Sequence, residues 1–412
     1  MKEPDAKQSP RVAWIVASLT AGGIGPVCRY ATQSVARLTD WRATLVSLHD
    51  PAGESVDETS GLRIVCLGLG KNAARLFLRW LEANPQDLII TSDVSYIESA
   101  FCHIPPSTLH VMQIHDSLRR YRAVPVRHAQ WIDGVTCVGK HIEVPLRRSL
   151  QEVGFHGLLR AVHNGAEFPP EPHRIPHTGP LRLLFMGRVE PLKGVFDFVP
   201  LLQKLKQSGV PVTLNMVGGE NQILRRQFKR KGLEEMVTWR GRVPHAQCYD
   251  IAAESDIFLM ASRKEPFGMV TIESMSMGCV PIAYNVPSGS VEIIEHGQSG
   301  LLVPLGDIRA WAEQIRSLNC DRERLAALSA GAIQRARGVF NSEVMAKNLV
   351  AFLKDVMAHA KNHPAQRQQG LPAEEPEAKE TAGYQRLPHG LREWIRNCVC
   401  ASPKLSYWLL NR

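Results

Sequence analysis

The chain lacks any apolar run of about 20 residues, the length that crosses a bilayer, so we expect no membrane-spanning segment. Its first ten residues are polar and charged, without the apolar stretch of a secretory signal. Its nine cysteines form no CxxC pair and no Cys/His metal-ligand spacing, which is typical of proteins in a reducing compartment. These absences predict a cytoplasmic protein, with any membrane contact at the inner face.

Two features that often serve catalysis are also missing. No Asp-x-Asp motif offers paired carboxylates for a divalent cation between phosphates, and no enzymic nucleophile stands out. We therefore expect no metal site and no cofactor. Basic side chains and helix N–H groups would then have to balance any bound phosphate.

Length and composition indicate a globular protein of two domains and a tail. A chain of 412 residues exceeds the size at which a single core normally keeps growing. Its 44% hydrophobic and 22% charged residues are ordinary for such proteins. The net charge of +9 favours anionic partners. Nucleic acid ranks last among these, because no basic stripe interleaved with aromatic residues is present.

Apolar runs of strand length alternate with helical segments, which predicts an α/β protein with two doubly wound, Rossmann-like parallel sheets. The predicted strands are 12–19, 43–48, 63–67, 87–91, 109–114 and 134–138, and then 181–186, 212–217, 237–240, 257–260, 280–284 and 301–303. We place the first domain at 1–166, a proline-rich linker at 167–180, the second domain at 181–360 and a tail at 361–412. Within the tail, residues 390–412 form a basic, amphipathic segment that either lies in an anionic membrane interface or docks on the protein itself.

The sharpest motif follows the predicted strand 257–260. Glu265 and Glu273 are eight residues apart, and Pro266 fits the start of a helix, which puts Glu273 roughly two turns in. Such a helix start binds anions through its unpaired N–H groups, its dipole alone contributing about 0.3–1 kcal/mol, so a diphosphate fits there. The expected N–H donors belong to Phe267, Gly268, Met269 and Val270. The alternative is a capped surface helix with incidental acidic residues.

This stretch resembles the E-x7-E motif of glycosyltransferase family 4, including the intervening Pro-Phe-Gly and the following Ser-Met-Ser-Met-Gly-Cys-Val-Pro-Ile-Ala. The resemblance implies a GT-B fold with the active site in the cleft between two domains. It also implies that Glu265 contacts hydroxyls of the donor sugar and that Glu273 holds the ribose. A retaining mechanism, with front-face attack assisted by the leaving phosphate, is implied as well.

A second segment similar to that family follows the predicted strand 181–186. Arg188 and Lys193 lie five residues apart on one loop, where both would converge on a diphosphate, the first as a planar fork and the second as a point charge. A solvated basic pair is the alternative. Further along, Gly218 and Gly219 are candidates for close approach to the nucleotide, although they fit ordinary turn residues equally well.

The first domain offers weaker candidates. Gly22 and Gly23 open a loop before a helix, where backbone amides would approach the phosphate or the acceptor. His115 ends the strand 109–114, at a place where the family often has a histidine near the sugar. A structural histidine is the equal alternative.

The resemblance thus implies an enzyme that moves a sugar from a nucleotide-diphosphate donor to a glycan or lipid-linked acceptor, in polysaccharide or lipopolysaccharide assembly. Two alternatives stay open. One is a nucleotide-sugar epimerase of the same fold, and the other is a noncatalytic nucleotide-sugar sensor or scaffold.

Overall fold

The computed structural model describes residues 9–20, 23–68, 73–170 and 177–362. They divide into two compact units. The first contains the described residues up to Glu167 and those from Ser342 to Asn362, and the second is Phe168–Asn341. Each unit contains one β-sheet with helices packed on it.

The sheet of the first unit has eight strands in the order β3-β4-β2-β1-β5-β6-β7-β8. They are β1 (Arg11–Val16), β2 (Arg42–Ser47), β3 (Gly53–Val56), β4 (Arg63–Cys66), β5 (Leu88–Ser92), β6 (Leu109–Ile114), β7 (Gly134–Cys137) and β8 (Leu158–Ala161). All neighbours are parallel except β3 and β4. The carboxyl ends of the other seven strands therefore meet at one edge of the sheet.

Helices cover this sheet, and its central strand β1 is accordingly apolar and buried from Val12 to Val16. The helices are α1 (Ile24–Leu38), α2 (Ala73–Ala83), α3 (Arg119–Arg127) and α4 (Lys140–Glu152), with 3-10 helices at Ser95–His103 and Ala129–Trp131. The largest fully buried side chains of this unit include Trp14, Phe77 and Phe101.

The second unit has six parallel strands in the order β11-β10-β9-β12-β13-β14. They are β9 (Leu181–Met186), β10 (Val212–Val217), β11 (Val237–Gly241), β12 (Ile257–Met260), β13 (Val280–Tyr284) and β14 (Leu301–Val303). Its helices are α5 (Phe198–Gln207), α6 (Gln222–Arg230), α7 (His245–Ala253), α8 (Met269–Ser276), α9 (Gly289–Ile293), α10 (Ile308–Cys320) and α11 (Arg322–Val339), and its 3-10 helices are Pro191–Lys193, Val195–Asp197 and Glu234–Met236. Phe198, Tyr284 and Trp311 pack edge to face in its core.

The last described helix, α12 (Ser342–Asn362), belongs to the first unit, whereas the sequence placed residues up to 360 in the second domain. It packs on α1, and Asp355 accepts a hydrogen bond from Arg160 at 2.7 Å. A Cβ built on Gly134 of β7 would meet Val356 at 2.9 Å. The apolar stripe of α12 shows that one face is buried, but such a stripe does not identify the partner.

The predicted strands agree closely with the structure, with two omissions in the first unit. All six predicted strands of the second unit are present, with β11 longer by Gly241. The sequence missed β3, which is exposed throughout, and β8, which is only partly buried; neither has an alternating pattern. β1 ends at Val16, three residues before the predicted end.

Parts of the predicted linker and tail lie outside the described residues. At the start of the linker, Arg337 donates to the Pro169 carbonyl at 2.7 Å and lies over the Phe168 ring, so these residues pack on the second unit. Residues 171–176 and 363–412, including the predicted membrane-contacting segment 390–412, are outside the described part of the chain. None of the described helices is long and apolar enough to cross a membrane.

Candidate functional site

The loop between β12 and α8 carries the first of the two predicted glutamates. α8 begins at Met269, with Gly268 before it in the left-handed region at φ 107°. The helix start predicted at Pro266 is therefore three residues early. Glu273 lies little more than one turn into α8 rather than two.

The start of α8 retains N–H groups without helical partners, as expected. The first bond of the helix runs from the Thr271 N–H to the Gly268 carbonyl at 2.9 Å. The N–H groups of Met269 and Val270 precede that bond, so the helix itself gives them no acceptor. Two of the predicted anion-binding donors thus stand at a helix N-terminus that begins four residues after Glu265.

Glu265 is buried, with 8% of its surface exposed. Its Oε2 accepts hydrogen bonds from Lys193 Nζ at 2.6 Å and from the Ser262 hydroxyl at 3.0 Å. No described residue donates to its Oε1. The side chain therefore has one oxygen fixed by the protein and one available to a ligand.

Glu273 has the same arrangement with a different partner. It is also 8% exposed, and its Oε1 lies 3.0 Å from His245 Nε2. Among the described residues, none donates to its Oε2. The hydrogen bond to Glu273 raises the pKa of His245, against the opposing effect of partial burial. His245 was not predicted, because a histidine at the first residue of α7 has no sequence signal that links it to α8.

The two predicted phosphate-binding cations have separate acidic partners. Lys193 is paired with Glu265, whereas the Arg188 guanidinium lies 3.1 Å from Glu190, and its side chain is 77% exposed. The sequence predicted that both would converge on one diphosphate. Their present contacts do not bring them together on a common group, so that role stays a prediction.

A buried network fixes the loop that carries Glu265. Arg263 donates to both carboxylate oxygens of Asp197, at 2.9 and 3.0 Å, and the Tyr284 hydroxyl donates to Asp197 at 2.5 Å. Burial and the nearby carboxylate raise the pKa of Tyr284. The Arg263 N–H also donates to the Leu192 carbonyl at 3.3 Å, which ties this loop to the one before Lys193. None of these residues was predicted, since an isolated Asp, Arg or Tyr has no spacing pattern.

Close backbone packing accounts for two glycines of this region. A Cβ on Gly194, at φ 68°, would lie 2.0 Å from the Ala261 carbonyl oxygen. One on Gly218, at φ 137°, would lie 1.9 Å from the Gly187 carbonyl oxygen. The backbone conformation and the neighbouring carbonyl therefore require glycine at position 218, in agreement with its interpretation as a turn residue. Gly219 has open space around it, so nothing in the fold requires a glycine there.

In the first unit, the glycine loop before α1 is only partly described. Gly22 lies outside the described residues, and Gly23 is the residue that precedes α1, with open space beside it. Gly25 is the glycine that packing requires, because its Cβ would approach the Leu19 carbonyl oxygen to 2.6 Å. The nucleotide or acceptor contact predicted for Gly22 and Gly23 stays a prediction.

An aspartate that the sequence analysis missed holds the loop after β1. Asp50 accepts hydrogen bonds from the Leu19 N–H at 2.6 Å and from the hydroxyls of Ser18 and Ser47 at 2.7 and 2.6 Å. Burial alone would raise the pKa of Asp50, but these hydrogen bonds outweigh it and lower the pKa. An ionised Asp50 therefore fixes the approach to α1.

His115 follows β6 and is buried. Burial lowers its pKa to about 4, so the imidazole is neutral at neutral pH. Its Nε2 lies 3.7 Å from Cys28 Sγ, and its backbone N–H donates to Asp93 at 3.1 Å. Asp93 itself has φ 50°, a left-handed conformation that is uncommon for a residue with a side chain. The geometry is compatible with both the structural and the sugar-contacting interpretation of His115.

Among the described residues, no cluster of three or more His, Cys, Asp or Glu side chains is placed to hold a metal ion.

Residues 170–335 match a family model described as glycosyl transferases group 1, and these residues make up most of the second unit. The class indicated by the fold and the motif is therefore that of glycosyltransferases. The glycogen synthase of Mycobacterium tuberculosis is 27% identical over 192 residues, 46% of each chain. The putative colanic acid biosynthesis glycosyltransferase WcaL of Escherichia coli is 27% identical over 196 residues, 45% of this chain and 48% of that one. These matches span about half the length of either protein.

Solved structures extend the likeness to both units. Sucrose-phosphate synthase of Thermosynechococcus elongatus superposes with a TM-score of 0.71 at 19% identity, covering 85% of this chain and 99% of that one. HepE of Anabaena, in complex with UDP and glucose, gives 0.67 at 18% identity and covers 84% and 100%. The predicted fold, GT-B with two parallel-sheet α/β domains, is confirmed. Membership of family 4 in particular stays a prediction.

Proposed function

We propose that this protein is a retaining glycosyltransferase that moves a sugar from a nucleotide-diphosphate donor to a glycan or lipid-linked acceptor. One observation carries the proposal: Glu265 and Glu273 are both buried, and each has one carboxylate oxygen fixed by the protein and one without a donor among the described residues. Neither oxygen is one of the side-chain atoms that are fully buried without a partner, so each can accept a hydrogen bond from a ligand in place of water. Ligand hydroxyls are the donors that fit two such oxygens.

In this proposal, each of the two carboxylates binds a different part of the donor. Glu265 Oε1 accepts from hydroxyls of the transferred sugar, and Glu273 Oε2 accepts from the ribose hydroxyls. The diphosphate lies at the start of α8, where the N–H groups of Met269 and Val270 and the helix dipole favour negative charge. Lys193 has three donors, so it can bind a phosphate oxygen while it keeps its bond to Glu265.

Charge stabilisation on the departing nucleotide supplies most of the rate in this proposal. Negative charge grows on the diphosphate as the glycosidic bond to phosphate breaks, and Arg188, Lys193 and the α8 amides stabilise it. These groups take the place of a metal ion. The acceptor hydroxyl attacks from the same face and passes its proton to the leaving phosphate, which retains the configuration. His115 contacts the sugar as a neutral imidazole.

The names of relatives support a role in polysaccharide assembly without fixing the donor, and lipopolysaccharide assembly is proposed beside it. WcaL is described as a putative colanic acid biosynthesis enzyme, and a relative from Xanthomonas oryzae uses GDP-mannose. HepE is described with UDP-glucose. The donor must therefore be found by experiment. Contact of residues 390–412 with the inner face of an anionic membrane is part of the same proposal.

The test is a screen of UDP-, GDP-, ADP- and CMP-sugars without added metal. We expect slow hydrolysis of one donor by the unaltered protein and its loss in Glu265→Gln, which keeps the shape but removes the charge. Glu313→Gln, at an exposed ion pair on α10, is the matched control and should keep the activity. Tight binding without turnover on any acceptor would indicate a sensor, and conversion of the sugar without nucleotide release would indicate an epimerase. Absence of binding to every donor would overturn the proposal.

A further inference from the structure

A histidine outside the predicted motif touches the second glutamate. His245 is the first residue of α7, and its Nε2 lies 3.0 Å from Glu273 Oε1 on α8. A carboxylate accepts hydrogen bonds and does not donate them, so the imidazole must donate through Nε2–H. Since this is the only hydrogen bond to Glu273 from a described side chain, it alone fixes the rotation of the carboxylate.

The imidazole is itself held in place. Pro244 precedes α7 at φ −55°, which restricts the backbone just before His245. The ring packs edge to face on Tyr249, one turn along the helix, with 5.3 Å between centroids. The side chain is 58% exposed, whereas that of Glu273 is 10% exposed. A partly solvated donor thus reaches a largely buried acceptor.

We propose that His245 is a positioning residue that turns Glu273 so that its Oε2 faces the ribose hydroxyls of the donor. This inference rests on the proposed function, because it concerns the same nucleotide site. It assigns to α7 a part in nucleotide binding that the E-x7-E motif does not contain. A side chain that only braces α7 against α8 would instead affect stability and leave nucleotide affinity unchanged.

The strength of the contact sets the size of the effect. Hydrogen bonds to charged groups contribute about 1.5–3 kcal/mol, which corresponds to roughly 10- to 100-fold in affinity. Part of this hydrogen-bond free energy is kept when His245 is removed, because water can reach the vacated, exposed position and donate to Glu273. We therefore expect His245→Ala to weaken nucleotide binding by about tenfold.

The experiment compares His245→Ala with His245→Gln in the full-length protein. Gln places an amide N–H near the position of Nε2 and does not titrate, so it should restore binding to within about threefold. The expected pattern for His245→Ala is an increase of about tenfold in donor KM and in nucleotide Kd, with kcat within twofold. Gln247→Ala, an exposed position on the same helix, should behave as the unaltered protein.

A 2′-deoxynucleoside diphosphate tests whether the affected contact is the one between Glu273 and the ribose hydroxyls. It lacks one of the hydroxyls that Glu273 would bind, so His245→Ala should weaken its binding much less than that of the ribonucleotide. Equal weakening of both nucleotides, or failure of Gln to rescue, would overturn the inference. So would unchanged Kd in His245→Ala. If the unaltered protein binds no nucleotide at all, the proposed function itself fails, which is a separate result.

Discussion

The buried pair Arg263–Asp197 allows the sharpest test of how the Glu265 loop is held. The Arg263 side chain is 2% exposed and that of Asp197 is 8% exposed, with two hydrogen bonds between them. Asp197→Ala would leave a guanidinium buried without its counter-charge. Breaking such a pair from one side destabilises a protein by about 3–5 kcal/mol, several times the effect of an exposed pair.

The assay is urea unfolding of the variant beside two controls. Glu313→Ala removes one partner of an exposed pair in the same unit and should leave the unfolding curve unchanged. The double variant Asp197→Ala/Arg263→Met should lose less stability than Asp197→Ala alone, because no unpaired charge remains. If Asp197→Ala unfolds at the urea concentration of the unaltered protein, or if the double variant is no more stable than Asp197→Ala, the network does not hold the loop as we infer.

Two further predictions concern a glycine and a histidine. Gly218→Ala should lower the free energy of unfolding by more than about 1 kcal/mol, because the new Cβ would meet the Gly187 oxygen at 1.9 Å, while Gly219→Ala should be neutral in the same thermal unfolding assay. Equal effects at both positions would contradict the packing argument. Burial lowers the pKa of His115 to about 4 in the folded protein, below that of an exposed histidine. As pH falls, the unfolded chain therefore takes up the proton at a higher pH than the folded chain does. The free energy of unfolding should consequently drop by about 3 kcal/mol between pH 6.5 and 4. His115→Gln should lack this drop; a slope that persists in urea unfolding at several pH values would assign it to other groups.

Regular patterns made most of the fold predictable. Parallel strands buried on both faces are unbroken apolar runs, and β12 and β13 have that form, whereas β10 and β11 alternate apolar and polar residues. The exposed strand β3 and the partly buried β8 have no such run, so they could not be found in this way. The assignment of α12 failed for another reason, since its periodicity shows a buried face without showing what buries it.

The candidate site also contains residues that the sequence could identify and residues that it could not. Glu265 and Glu273 were predictable because the motif, the preceding strand and the helix start occur together within a short segment. Their protein partners come from distant parts of the chain: Lys193 is 72 residues from Glu265, and His245 is 28 residues from Glu273. Only the strand order of the sheet brings them together. The same holds for the network of Asp197, which joins residues 66 and 87 positions away.

The contact between Lys193 and Glu265 bears on how a donor would enter. The lysine is bound to the Glu265 carboxylate at 2.6 Å, and its side chain is 20% exposed. If the donor binds as we propose, its diphosphate takes over part of the role of Glu265 as the counter-charge of Lys193. Glu265→Gln should therefore weaken turnover far more than nucleotide binding, since the amide loses the sugar-facing charge while the diphosphate still neutralises the lysine.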